Sequence, residues 1–472
     1  MLGVTKWNFA PYHPCKYDGS DIFICHVVPA ETSIFIEWFY ENGSDGVTIV
    51  YLRKRGQNAY ECFGAEGDSF LFENLEPETD YEFKIRSGDH FSCKRLARTG
   101  RPIGNVVNYL HPDDEVYGYV GHTLGSPSLV RLPSGALLSS MDVYSNGCPQ
   151  NLSIVFRSDD KGATWRYVTE LMPCYWGKLF LHKGTLYMIG CSNEYGDILI
   201  GKSADEGKTW TGPSVLFRGS CNSFFPGFLS CPTPVVTCGG RIWKAVDYGD
   251  RRAYDPRKSV PHMHAVISAD ESADLLDPRS WHLSEPLPYN PDWPGTARAK
   301  EGFVCQGGLE SNAVVGPDGE LWVIPRYHTY NCDPDYGKLV LYKADKNDPD
   351  RMIDFYKVAD FNGNTSKFEI IRDGITGYYL CVLNGLDERN RSLISSRDLM
   401  MLYKSSDLEH WDYVCTITDL VGREGEGSQN ASVVIDGDDL IMTCRTAINN
   451  PIGPMFANYQ TFHLVENFRN LL

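Results

Sequence analysis

The chain has 472 residues, with 44 Lys and Arg against 61 Asp and Glu, a net charge of −17 and 42% hydrophobic residues. This is long enough for more than one packed unit at roughly 100–200 residues per domain. Its acidity excludes a dominant nucleic-acid or anionic-membrane partner, which needs a basic footprint. No stretch reaches the ~18 consecutive apolar residues that mark a membrane span. The opening MLGVTKWNFAPYHPCKYDG lacks the basic-then-apolar pattern of a secretory leader, and fifteen cysteines stand in irregular spacing without a C-x-x-C pair or a zinc pattern. The expectation is a cytoplasmic protein with reduced thiols (or an extracellular one whose leader has been removed), with no metal and no cofactor.

Residues 1–100 read as a small β-sandwich. SIFIEWFY (33–40), GVTIVYLRK (46–54), DSFLFENL (68–75) and DYEFKIRSG (80–88) alternate apolar and polar residues, as half-buried strands do. Leu75-Glu-Pro77-Glu-Thr79-Asp-Tyr81-Glu-Phe83 resembles the L-x-P-x-T-x-Y-x-F signature of fibronectin type III domains, with Trp38 as core tryptophan. The resemblance implies a tyrosine packed inward with its hydroxyl tied to nearby backbone, in a domain that braces or docks rather than catalyses. The polar, Pro/Gly-marked stretch 101–118 reads as a linker, so the remainder is expected to be separable.

From residue 119 to 472 a turn followed by an apolar strand recurs: PSGALLSSMD (133–142), HKGTLYMIGC (182–191), CGGRIWKAVD (238–247), PDGELWVIPR (317–326), TGYYLCVLN (376–384) and DGDDLIMTCR (436–445). The turn glycines 135, 184, 240, 319, 377 and 437 are spaced by 49, 56, 79, 58 and 60 residues, and an apolar run precedes each turn. The pattern predicts an all-β chain: a small β-sandwich, then a six-bladed β-propeller. Ser158-Asp-Asp160-Lys-Gly162-Ala-Thr164-Trp165 and Ser203-Ala-Asp205-Glu-Gly207-Lys-Thr209-Trp210 fit S-x-D-x-G-x-T-W. Weaker copies run from Ser405-Ser-Asp407 to Trp411 and from Ser268-Ala-Asp270 to Trp281. These segments resemble the Asp box of the sialidase family; the resemblance implies a turn on the outer rim, away from chemistry.

Inner strands of a propeller deliver their ends to one face, and reading past each turn glycine places Asp142, Cys191, Asp247, Arg326, Asn384 and Arg445 there. Such charges are expected either to meet a ligand or to pair and close the channel. Tyr248, Tyr327 and His328 follow inner-strand ends and are expected to rim the opening. Glu310, sixteen residues before Arg326, opens the same hairpin. The segment from Glu310 to Arg326 is similar to the sialidase segment with a Glu at one strand start and a substrate-binding Arg at the next strand end. Arg397, ahead of Asp407, matches a later carboxylate-binding Arg. The resemblance implies three arginines holding a sugar carboxylate through planar forks.

The departures count as well. Gly125-Ser126-Pro127 stands where the family has an arginine, no acid lies between Val143 and Arg157, and Ser428-Gln429-Asn430-Ala431 occupies the tyrosine-nucleophile region. Asp142, Glu310 and Asp247 are therefore the candidate catalytic carboxyls, with His122, near the absent arginine, as candidate acid or base. Arg326, Arg397, Arg445, Tyr248, Tyr327, His328 and Gln429 are the candidate substrate-binding residues. The reading is an exo-acting glycoside hydrolase on a terminal acidic sugar of a glycan, poor on ordinary sialosides. The alternatives are a lyase on a uronic acid, with His122 or a tyrosine removing a proton, and a non-catalytic glycan-binding propeller. Oligomeric state is open.

Overall fold

Apolar/polar alternation organises the computed structural model, which describes residues 21–40, 46–145, 147–222, 224–255, 257, 261–363, 365–391 and 396–472. The leader reading and the first twenty residues of the 1–100 unit lie outside them. Ile22–Pro29, Ile34–Tyr40 and Ser69–Phe72 form one antiparallel sheet. Thr48–Lys54, Glu61–Ala65, Asp80–Ser87, His90–Phe91 and Arg95–Arg98 form another. Ile24, Ile36 and Trp38 from the first share a buried core with Val50, Leu52, Tyr81 and Phe83 from the second. The Tyr81 hydroxyl accepts the Glu76 N–H at 2.9 Å, so burying the ring leaves no unpaired phenol.

The stretch expected to be a free linker is instead part of the packing. Asn105–Tyr109 pairs with Tyr459–Val465, joining a strand from early in the chain to the last sheet. Phe23 and Cys25 of the first unit sit in one buried cluster with Val107, Leu110, Tyr117, Ile154 and Phe156. His26 bonds the Val107 carbonyl at 2.9 Å, and buried Arg95 pairs with Asp114 at 2.7 Å. Against the expectation of a separable remainder, the first unit thus shares a buried cluster with the residues that follow it.

Six antiparallel sheets of four or five strands follow among the described residues, each containing one of the predicted turn-strand repeats. Their innermost strands include Ser128–Arg131, Tyr175–His182, Val235–Cys238, Gly308–Val315, Glu369–Arg372 and Gly427–Asp436. Hydrogen bonds link neighbouring sheets in cyclic order. Ser128 Oγ accepts from Leu179 N–H, Cys191 Sγ–H donates to Phe228 C=O, and Thr233 Oγ1 donates to Ser311 C=O. Asn312 Oδ1 accepts from Ile370 N–H, Glu369 Oε1 from Val433 N–H, and Ser432 Oγ closes the circle by accepting from Leu129 N–H.

All six turn glycines adopt positive φ, from 65° to 91°, a region closed to most side chains. The two S-x-D-x-G-x-T-W segments fold identically. Ser158 Oγ accepts Gly162 N–H and donates to Asp160, which accepts Thr164 N–H, while Trp165 Nε1–H donates to Gly162 C=O. Ser203, Asp205, Gly207, Thr209 and Trp210 repeat this. Ser405 and Asp407 do the same with Leu408, at φ 68°, in the glycine position and Trp411 bonded to its carbonyl.

Candidate functional site

Strand pairing places the predicted residues at equivalent ends of their hairpins: Asp247 opposite Leu229, Arg326 opposite Leu309, and Arg445 opposite Gln429. Two of the three innermost strands involved are bulged there. Glu310 (φ 59°) and Asn430 (φ 54°) each mark a register shift in the ladder. An extra residue in the left-handed region re-aims the side chains beside it. At Glu310 the bulge turns the carboxylate towards Arg326, with Oε2 2.6 Å from Nε, and frees the Glu310 N–H to bond Asp247 Oδ2 at 2.6 Å.

Asp247 is the anchor of this half. It also accepts from His264 Nδ1 at 2.8 Å and Ser311 Oγ at 2.9 Å. Burial acts to raise its carboxyl, but the His264 bond and charge, His262 and Ser311 together hold it below the ordinary value. All its oxygens are engaged, which makes it a scaffold for Glu310. His264, which the sequence did not single out as a candidate, has its Nε2 buried without a hydrogen-bond partner. Register could have found it, since Asp247 and His264 are direct cross-strand partners. Among the described residues no three His, Cys, Asp or Glu are grouped to hold a metal ion.

The other half is cationic. Arg397 Nε donates to Gln429 Oε1 at 2.7 Å and Nη1 to the Ser396 carbonyl. Arg445 donates to the Tyr144 hydroxyl and the Met455 carbonyl, and its guanidinium lies 4.9 Å from the Tyr144 ring centre. Burial first, then the charges of Arg326 and Arg445, bring Arg397 down to about 9, against the upward pull of Glu310. The three guanidiniums therefore feel one another. Arg326 also donates to the Thr365 carbonyl, and Arg445 Nε is buried without a partner. Tyr144, two residues beyond Asp142, went unnoticed in the sequence; no local pattern ties it to an arginine 301 positions away.

Asp142 sits in a different setting. It accepts from Ser153 Oγ at 2.6 Å, and its Oδ2 is buried without a partner. Burial raises it to about 7, outweighing the Ser153 bond, a Trp176 N–H and the more distant charge of Arg445. Gly125 leaves no room for a side chain: a Cβ there would stand 2.9 Å from Asp142 Cβ.

The channel is closed by groups that the sequence did not single out. Lys178 Nζ reaches Glu369 at 2.9 Å and Ser432 Oγ at 3.1 Å, and Lys367 bonds the Ala431 carbonyl and Glu369, all buried. The arginines are thus not needed to plug it.

Several rim expectations change. Tyr327 is buried, bonding Tyr289 Oη at 2.5 Å and the Ala297 N–H at 3.0 Å, so it is a core residue rather than a ligand-facing one. Tyr248 packs on Phe228, ring centres 5.1 Å apart. His122 bonds Ser145 Oγ through its backbone, and its ring lies beside Gly118 and Glu115 and acts on Asp113 rather than Asp142. His328 remains with the cluster: burial, then Arg326 and Arg397, hold its imidazole down to about 3 and hence neutral. A cavity of about 520 Å³ opens outward from Arg397, lined by Arg423, Glu424, Glu426, Ile452 and Met455.

No family model and no curated protein matches the sequence. Solved structures do. The α-L-arabinanase of Penicillium chrysogenum, complexed with arabinobiose, is similar at TM-score 0.51 and 14% identity, over 79% of this chain and 99% of its own. The Hadza microbial sialidase Hz136 is similar at TM-score 0.50 and 14% identity, over 96% and 98%. The chain therefore has an all-β fold of the sialidase-like β-propeller type, shared with glycoside hydrolases.

Proposed function

We propose that this protein is an exo-acting glycoside hydrolase, built on a six-bladed propeller, that removes a terminal acidic sugar from a glycan. The observation that carries the reading is that Arg397 donates to Gln429, the cross-strand partner of Arg445, while burial and the charges of Arg326 and Arg445 hold Arg397 down. Buried like charges are costly unless a counter-charge arrives, and a sugar carboxylate provides one that matches the guanidinium fork. The cyclic contacts of the six sheets support the blade number, and the names of the two similar structures support a glycan substrate.

Asp142 serves as the general acid. At about 7 its carboxyl is half protonated near neutrality, and the unpartnered Oδ2 is the atom that hands its proton to the leaving oxygen. Glu310, oriented by Asp247 through its own backbone N–H, is the second carboxyl; it stabilises or attacks the anomeric centre on the opposite face. Arg326 holds that carboxylate on one side and the substrate on the other. The first unit, with its Tyr81 to Glu76 tie, acts as a fibronectin type III-like brace.

The test is a product screen against glycans ending in sialic acid, uronic acid or rhamnose. Release of a saturated acidic monosaccharide is expected, with little turnover of simple aryl sialosides. An unsaturated uronate product instead identifies a lyase, and binding without release a lectin; either would replace this reading.

A further inference from the structure

Away from the arginines, four side chains meet under the loop leading into the strand of Glu310. Cys305 Sγ lies 3.3 Å from Tyr289 Oη and 3.6 Å from Tyr327 Oη, and Cys332, whose thiol donates to the Tyr330 carbonyl at 3.8 Å, belongs to the same buried cluster. Cys332 is held across from Ala299 by the short pairing of Arg298–Ala299 with Cys332–Asp333. The two sulfurs thus come from opposite ends of the hairpin that contains Glu310 and Arg326. Cys305 lines a cavity of about 740 Å³ bounded also by Tyr289, Trp293, Pro294, Arg298 and Phe303, whereas Cys332 is fully buried behind it.

The two thiols differ in character. Hydrogen bonding from Cys332 first, and from Tyr289 and Tyr327 with it, stabilises a thiolate at Cys305 against the opposing effect of burial. Cys332, as the donor, moves the other way. Cysteines buried elsewhere behave as inert core residues: desolvation pushes Cys174 and Cys444 up to about 12. A thiolate stabilised at the wall of a cavity, with a second thiol in the same cluster, is the arrangement that favours exchange chemistry.

We propose that Cys305 and Cys332 are a reversible dithiol pair, closed to a disulfide by a small-molecule disulfide entering the adjoining cavity. The Cys305 sulfur attacks one sulfur of the oxidant, the oxidant's S–S bond breaks, and the Cys305 proton leaves with the first small thiol. The Cys332 sulfur then attacks Cys305 Sγ, the mixed disulfide breaks, and the Cys332 proton leaves with the second. One small disulfide is reduced to two thiols, and two cysteines are oxidised to one cystine. The bond ties the loop before Gly308 to the strand after Tyr327 and so fixes both approaches to Glu310 and Arg326.

The experiment incubates the full chain with oxidised glutathione, alkylates free thiols and maps tryptic peptides by mass spectrometry. Cleavage after Lys300, Arg326 and Lys338 puts the two cysteines on separate peptides, 301–326 and 327–338, each with one cysteine. The expected result is a dithiothreitol-reversible link between these peptides. Exposed Cys62 and Cys221 report that the oxidant is active. Glutathione on Cys62 and Cys221 with peptides 301–326 and 327–338 unlinked, or a lasting glutathione adduct on Cys305 in the unaltered chain, overturns the proposal. Cys332→Ser is expected to stop at the Cys305 adduct; an unmodified Cys305 in that variant overturns its role as the attacking sulfur.

Discussion

Glu310 Oε2 lies 2.6 Å from Arg326 Nε, yet the N–H is not directed at that oxygen, so charge rather than a hydrogen bond holds the pair. The guanidinium keeps directional capacity beyond its bond to the Thr365 carbonyl. Arg326→Lys retains the charge and loses the fork. Truncating one member of a desolvated charge pair costs roughly 2–5 kcal/mol, and lysine substitution somewhat less. Catalytic efficiency is expected to fall at least about tenfold on that scale. Unchanged kinetics in a folded Arg326→Lys protein would remove this residue from substrate binding.

In the proposed mechanism Asp142 ties activity to pH. As a general acid it must be protonated, so the rate should decline as pH rises through about 7. Asp142→Asn should lose roughly 10²–10⁴-fold in turnover and lose that basic limb. A limb unchanged in the variant would assign the titration to another group.

The same carboxyl affects stability. Its folded value is raised above the ordinary 3.8, so the folded state binds the proton more tightly than the unfolded chain does. Its contribution is greatest at low pH, declines as pH rises from about 4 to about 7, and is level beyond that. Asp142→Asn should flatten the pH dependence of denaturant midpoints across that window. A slope identical to the unaltered protein would contradict the burial argument.

Phe23 tests the shared core. It packs with Tyr117 and Phe39, ring centres 6.3 and 5.3 Å away, and with residues of the first propeller sheet. Phe23→Ala should cost about 3–5 kcal/mol and lower one common unfolding transition. Two separate transitions, only the earlier one shifted, would restore the independent-unit picture. A chain starting at residue 105 should aggregate, because Val107, Leu110 and Phe156 lose their cover.

Glu369 tests the axial plug. Its carboxylate serves Lys178, Lys367 and the Val433 N–H while fully buried. Glu369→Ala strands two ammonium groups and should destabilise by about 3–5 kcal/mol while leaving the Michaelis constant within twofold or so. A large change in substrate affinity without loss of stability would place Glu369 in the site.

What the sequence determined by itself is whatever depends on neighbours along one strand or turn. The six glycines at positive φ, the Ser–Asp–Trp turns and the ends of the inner strands follow from period-2 alternation and from turn chemistry, which act within a few residues. Those rules carried Asp142, Asp247, Arg326 and Arg445 to one end of their hairpins. The tertiary structure alone decided which of them touch. A bulge at Glu310 aims its carboxylate at Arg326, and inter-sheet packing sets Tyr144 against Arg445 and closes the axis with Lys178 and Glu369 rather than with the arginines. It also buries Tyr327 and sends His122 towards Glu115. Such contacts join residues up to hundreds of positions apart, and their geometry is set by sheet stagger and bulges, which an alternating pattern does not encode.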